Sequence, residues 1–312
     1  MKTRLILALL LGASPLLAQE FRRTGTAGFV FLELPVSARS AALAEATTAF
    51  SDVGAEGIFQ NPSAIGFLKG THSATFSYAP WIADINHFAA GYAYATPVGV
   101  FAVGAVAVDF GSMPRTVREP WQTVFAVTGE FEARALAAGL TYANRLTEQF
   151  SFGLTAKYAS ETIDTYTADN IVFDGGVLYH TGLGSLRIAG ALQNFGTDAR
   201  YISDPFRMPA MLRLGMAGEV FGEGGAEVRL TASAETLHPT DGEERINTGL
   251  EAAWRETVVL RAGYKFLYDE ESFSLGIGIT LPGSWKTGFD VAYADYGRLG
   301  GVLRFTLHAD ID

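Results

Sequence analysis

The stretch Phe150-Ser151-Phe152-Gly153-Leu154-Thr155-Ala156-Lys157-Tyr158 decides the fold. Its even positions are apolar and its odd positions small or polar, the period of a strand whose successive side chains point to opposite faces. A helix repeats its apolar face every three to four residues and cannot produce this pattern. The same rhythm recurs downstream. Phe273, Leu275, Ile277, Ile279 and Leu281 alternate with Ser274, Gly276, Gly278 and Thr280. Val258, Leu260, Ala262, Tyr264 and Phe266 alternate with Val259, Arg261, Gly263 and Lys265, and Leu303, Phe305 and Leu307 with Arg304, Thr306 and His308.

Working outward, fourteen such runs are expected, near 71–80, 85–95, 98–109, 131–145, 150–161, 170–180, 184–195, 209–221, 225–237, 245–254, 257–266, 272–281, 284–295 and 300–309. Their connections alternate. Those near 96–97, 146–149, 181–183, 222–224, 255–256 and 282–283 are short; 110–130, 162–169, 196–208 and 238–244 are long, with 267–271 and 296–299 between. An even strand number with short turns on one side and longer loops on the other is the plan of an outer-membrane barrel. A soluble sandwich would also alternate. Here aromatic residues gather near the strand ends (Tyr78, Trp81, Phe110, Trp121, Phe150, Trp254, Tyr268, Trp285, Tyr296), where membrane–water girdles lie, and the longer connections are acidic. The expected fold is all-β: a 14-stranded antiparallel transmembrane β-barrel with an N-terminal hatch containing a short helix.

Composition agrees. Of 312 residues 48% are hydrophobic and only 18% charged, which excludes an intrinsically disordered chain. A net charge of −10 disfavours nucleic-acid binding, because displacing counterions from phosphate needs basic surface. The absence of cysteine removes disulfides, thiolate metal sites and thiol nucleophiles. At the N-terminus Lys2 and Arg4 precede an apolar run that ends in Leu16-Leu17-Ala18, a secretory signal too short to span a bilayer. The chain therefore divides into a signal over 1–18, a hatch over 19–70 and a barrel over 71–312, placed in the bacterial outer membrane as a monomer among lipid.

Residues 19–70 do not alternate. Ser40 to Phe50 is a helix candidate, followed by the turn signal Gln60-Asn61-Pro62-Ser63-Ala64. So long an irregular segment needs a surface to fold against, and the lumen of a fourteen-stranded barrel is wide enough to supply one. Lumen-facing residues are small on the early strands (Ala89, Gly91, Ala93, Ala137, Gly139, Thr141, Gly153, Thr155), so the hatch or a ligand is expected in that half. Later strands carry Arg213, Glu227, Arg229, Glu251, Arg261, Lys265, Asp290 and Arg304, expected to face the lumen and pair with one another rather than form an anion-selective pore. Phe101 and Val103 are read as apolar lumen residues. The five histidines (72, 87, 180, 238, 308) have no metal-ligand spacing, His72 reads as interfacial, and neither a cofactor nor enzymatic activity is expected.

Several phrases, in this order and spacing, resemble the PorV/PorQ family of outer-membrane barrels. They are FLELPVSARSAAL at 31–43, Asn61-Pro62-Ser63-Ala64, WIADINH at 81–87 and Asp109-Phe110-Gly111. Gly129-Glu130-Phe131 leading to Leu140-Thr141-Tyr142-Ala143, Gln193-Asn194-Phe195-Gly196, Pro209 with Arg213 and Gly215, Arg261-Ala262-Gly263-Tyr264, and DVAYADYGRLGGVLRF at 290–305 continue the series. The chain departs from the family pattern at Ser63 and in ending Ala309-Asp310-Ile311-Asp312 without a terminal aromatic. The resemblance implies an architecture similar to the FadL fatty-acid transporters. It also implies a non-enzymatic docking role in type IX-like secretion, with secreted cargo or secretion-complex proteins at the extracellular face. The alternative is FadL-like passage of small hydrophobic molecules, with such a ligand in the lumen and Asn61-Pro62 as a movable constriction.

Overall fold

A computed structural model describes residues 25–118, 125–281, 283 and 285–311. The expected signal over 1–18 and Trp121 lie outside the described residues. Fourteen strands close into one antiparallel barrel: β1 (His72–Pro80), β2 (Asn86–Thr96), β3 (Gly99–Arg118), β4 (Phe125–Arg145), β5 (Phe150–Ile163), β6 (Tyr166–His180), β7 (Arg187–Gly196), β10 (Met211–Phe221), β11 (Val228–Pro239), β12 (Arg245–Trp254), β13 (Val258–Phe266), β14 (Phe273–Leu281), β15 (Trp285–Asp295) and β16 (Gly301–Ile311). A two-stranded ribbon, β8 (Ala199–Arg200) with β9 (Pro205–Phe206), sits in the connection before β10. The seam is β1 against β16, in register from His72↔Ile311 to Tyr78↔Phe305. Closure leaves no unpaired sheet edge, the condition for strands to cross lipid.

The alternation sorts side chains as expected. Phe273, Leu275, Ile277, Ile279 and Leu281 of β14 are all exposed on the outer face, while Ser274 is buried inside. Leu154 is 59% exposed and its neighbour Thr155 4%. An apolar exterior of this extent is a lipid-facing surface. Two sequence expectations change phase. Phe101 and Val103 face outward, not into the lumen; the lumen side of β3 is Val100, Ala102, Val106 and Val108. That strand is apolar on both faces, so alternation carried no sign there.

Two expected loops are largely strand. β3 runs on to Arg118 and β4 begins at Phe125, while β5 and β6 meet at a two-residue turn where Asp164 takes a φ of 57°. These extensions carry exposed Arg115, Glu130 and Asp169, so the apolar–polar alternation that marks a lipid-bounded strand disappears while the backbone pairing continues.

Residues 28–67 fill the lumen. The only α-helix among the described residues, α1 (Ala38–Ala42), is much shorter than the expected 40–50; Ser37 caps it by accepting the Ser40 N–H at 3.1 Å. It stops because Ala44 and Glu45 adopt φ of 52° and 65°, a turn that brings Leu43 and Ala44 against Gly249 and Gly263. Helix propensity loses to this close approach. The hatch is therefore not confined to the small-residue half. α1 rests on the late wall at Gly263, Gly276 and Ala292, and the turns Gly54–Phe59 and Pro62–Phe67 rest on the early wall.

Candidate functional site

The described residues enclose cavities at both mouths of the lumen and between the hatch and the early wall. Beneath the mouth that carries the longer connections is a chamber of about 150 Å³, walled by Trp81, Tyr268, Tyr296, Glu33, Leu34 and Arg213. A smaller apolar pocket of about 40 Å³ follows, between hatch residues Phe31, Leu32, Leu34, Val36 and Phe59 and the wall at Gly104, Val106, Ala137 and Gly139. Leu34 lines both. Beyond the hatch, at the short-turn mouth, lies a polar chamber of about 670 Å³. The apolar pocket exists because β3 and β4 present Gly and Ala where a larger residue would meet the hatch: a Cβ on Gly104 would touch the Phe59 ring at 3.1 Å. Its polar lining is Thr141 and Thr155, whose hydroxyls bond each other at 2.8 Å, and Lys157, whose Nζ donates to Asn194 Oδ1 at 2.6 Å and pairs with Asp174 at 2.8 Å.

Charged residues bind the hatch to the late wall in two linked sets. On the short-turn side, Arg39 forms a two-pronged contact with Glu251, 2.9 Å on each prong, and donates to the Asp52 carbonyl at 2.7 Å. Arg261 bridges Glu251, at 2.8 Å, and Asp290. Arg229 pairs with Glu256 at 2.8 Å and donates to Thr231, and Arg187 pairs with Glu219 at 3.0 Å. Toward the other mouth, Glu45 is held by Arg213 at 3.1 Å and Lys265 at 2.6 Å, while Arg213 also reaches Glu235 and Lys265 also reaches Glu271. Burial alone would raise the Glu45 carboxyl; Lys265 and Arg213 overcome it and hold the group down to about 2. Glu33 is the opposite case, pushed up to about 7 by burial and by Asp241.

Of the anticipated lumen charges, Arg213, Arg229, Glu251, Arg261, Lys265, Asp290 and Arg304 do face inward. Glu227 does not. It precedes β11 at the rim, where it pairs with exposed Arg255 at 2.7 Å, because the strand begins at Val228, three residues later than expected. Arg304, 1% exposed, has no carboxylate partner among the described residues; it donates to the Val36 carbonyl at 3.2 Å, contacts His87 Nδ1 at 3.1 Å and lies over the Trp81 ring. Trp81, Tyr268 and Tyr296 are thus lumen-mouth residues rather than girdle members, whereas Trp254 and Trp285 are exposed on the outside. His72 is interfacial, bonded to the Tyr92 hydroxyl at 2.6 Å and stacked on Tyr94.

The segment Gln60 to Ala64 is an anchor. Asn61 Oδ1 accepts from the Ser63 N–H at 3.1 Å and hydroxyl at 2.6 Å, and its Nδ2 donates to the Thr48 carbonyl at 2.8 Å. Pro62 starts the following turn, Ala64 is buried, and Gln193 donates to the Gln60 carbonyl at 2.8 Å. Gly153 and Gly176 accommodate it: a Cβ on either would overlap Pro62 or Asn61. Sequence reasoning missed Arg39, Glu45 and Asp52, the hatch side of every bridge. The signal for the first two was an arginine and a glutamate, Arg39 and Glu45, inside the otherwise small and apolar run from Ser37 to Phe50, since buried charges demand partners.

No family model and no curated protein matches the chain. Solved structures share its fold. The Ralstonia pickettii toluene transporter TbuX is similar over 88% of this chain and 96% of its own, at 14% identity and a TM-score of 0.57. The CymD monoaromatic hydrocarbon channel matches over 91% and 97%, at 13% identity and a TM-score of 0.60. A Pseudomonas aeruginosa FadL homologue matches over 89% and 98%, at 13% identity and 0.54. The chain thus shares the fold of these transporter and channel structures.

Proposed function

We propose that this protein is an outer-membrane channel for small hydrophobic molecules, exported by the signal over 1–18 and plugged by residues 19–70 within a barrel of residues 71–312. The observation that carries the reading is the apolar pocket between the hatch and β3–β4, with polar chambers toward either mouth of the barrel. Selectivity for an apolar solute requires an apolar stage that water and ions cross poorly. The outer chamber matches the size of a cavity that holds benzene, about 150 Å³; the inner pocket is smaller and opens only if Phe31 to Val36 move. Two of the structural neighbours are described as a toluene transporter and a monoaromatic hydrocarbon channel, which supports the same class of solute here. The role is non-enzymatic and the ligand is held by shape. The docking role in protein secretion, with secreted cargo or secretion-complex partners, has no counterpart among the named neighbours, and it gives way to the transport reading.

The test is to fill the pocket. Val106→Trp adds an indole where about 40 Å³ is free. Cells expressing it are expected to take up toluene about tenfold more slowly than wild type, at equal barrel abundance, because the pathway is blocked at its narrowest apolar point. Unchanged uptake would remove the pocket from the pathway.

A further inference from the structure

Outside the apolar pathway, the hatch and the wall bring three ligating side chains together at the polar chamber. Glu56 comes from the hatch turn Gly54–Phe59, Asp290 from β15 and His308 from β16; one oxygen or nitrogen of each lies within 4.8 Å of the other two. Asp290 is 2% exposed, and its Oδ1 is engaged by Arg261. Its Oδ2 stands 3.2 Å from His308 Nδ1, a contact that is an ion pair when the imidazole is protonated, and neither atom has any other partner. Glu56 is buried, bonded to Ser37 and with Arg39 near enough to act on its charge, while no Arg or Lys pairs with it directly among the described residues. Asp310, next on the same face of β16, adds a further carboxylate, with Oδ1 buried and unbonded beside Gly54.

A buried carboxylate beside a second one is costly unless a cation offsets the charge. Arg261 supplies one positive charge, on the far oxygen of Asp290, and leaves the near oxygen, the Glu56 carboxylate and an imidazole nitrogen converging. The edge of a tetrahedron around zinc with nitrogen and oxygen ligands is about 3.3 Å, close to the separation of His308 Nδ1 and Asp290 Oδ2. An imidazole with two carboxylates is a donor set for a first-row divalent ion rather than for calcium, which takes oxygen alone. The chamber, which Glu56, Asp290 and His308 line, gives an ion a route to the site.

We propose that Glu56, Asp290 and His308 form a site for a first-row divalent cation, with zinc as its natural occupant by donor chemistry, and that the ion pins the hatch to β15 and β16. This does not depend on what the channel carries. Two ligands belong to the wall and one to the hatch, so the ion adds a hatch-to-wall link beside the Arg39–Glu251 bridge and the Ala55 N–H on Ser73 Oγ at 2.7 Å. The ion would therefore slow hatch opening and chelation would speed it.

The experiment uses the full chain, folded in detergent and titrated with Co²⁺ as a spectroscopic stand-in, followed by displacement with Zn²⁺. One equivalent is expected, with the visible absorption of cobalt in a low-coordinate nitrogen–oxygen site. Glu56→Gln and His308→Asn should each weaken binding by more than about 100-fold, the most that loss of a group outside the ligand set typically costs. His238→Asn, at the exposed His238–Glu244 pair, should leave it unchanged. Heat-modifiable migration confirms that each variant is folded, and if one substitution prevents folding the other decides. Absence of saturable binding by the wild type, or one equivalent that survives both ligand substitutions, would overturn the proposal.

Discussion

Arg39→Met is the perturbation that most directly separates the hatch from the wall. The substitution keeps the unbranched stem that packs near Phe50 and removes the guanidinium that forms two 2.9 Å bonds to Glu251 and one of 2.7 Å to the Asp52 carbonyl. Bonds to charged groups contribute about 1.5–3 kcal/mol each, and breaking a buried pair costs about 3–5 kcal/mol in all. Glu251 retains Arg261, so the lower end, about 3 kcal/mol, is the appropriate value. At about 1.4 kcal/mol per tenfold, the open population of the hatch rises on the order of 100-fold. The chain has no cysteine, so a single Ser40→Cys reports opening without background. Ser40 is 1% exposed and its hydroxyl has no hydrogen-bond partner, which makes the replacement mild. In the fast-reclosing regime the rate of modification by a water-soluble thiol reagent follows the open population. Arg39→Met in the Ser40→Cys background should therefore label on the order of 100-fold faster, with unchanged barrel content. An unchanged rate would refute the reasoning, because it would mean that this bridge does not hold the hatch.

Leu154→Arg places a charge on the lipid face at a cost of about 2–4 kcal/mol and should block membrane assembly, whereas Thr155→Arg, on the lumen face, should assemble and only loosen the hatch; equal yields in the membrane fraction would contradict a lipid-facing β5. Gly176→Ala should leave strand pairing intact but displace Asn61, at about 1–3 kcal/mol, raising ion conductance in planar bilayers; conductance equal to wild type would count against the docked turn. Acid should open the hatch. Glu45 has its pKa depressed from 4.5 to about 2, so its contribution is present above pH 4.5 and is lost as pH falls toward 2. Wild-type conductance should rise across that window, Glu45→Gln should conduct already at pH 7, and a flat wild-type profile would remove this contact from the plug.

The barrel was legible because lipid imposes a strict period. Where one face meets hydrocarbon and the other meets water, as at Phe150 to Tyr158 or Phe273 to Leu281, sequence and register coincide. Legibility failed where that condition lapsed. Residues 110–118 and 125–130 pair as strands beyond the apolar band, with both faces hydrated, and β3 is apolar on both faces around Phe101 and Val103, which hid its phase. In the hatch, propensity favoured a helix through Phe50, but the glycines of the opposing wall draw Leu43 and Ala44 close and end it at Ala42. The lumen charges were recognisable one by one. Their partners were not, because Arg39 meets Glu251 across 212 residues of sequence and Glu56 meets His308 across a similar span. No local spacing encodes such a meeting; it follows only from closing the barrel around its own N-terminal segment.

Uptake in Gram-negative cells whose own hydrophobic channels are deleted tests the central claim most directly. Expression of this protein should speed the entry of toluene across the lipopolysaccharide-bearing outer membrane several-fold, while the entry of a small sugar stays at the background of the host. Sugar entry rising with toluene entry unchanged would show a polar pore in place of an apolar pathway, and would contradict the account.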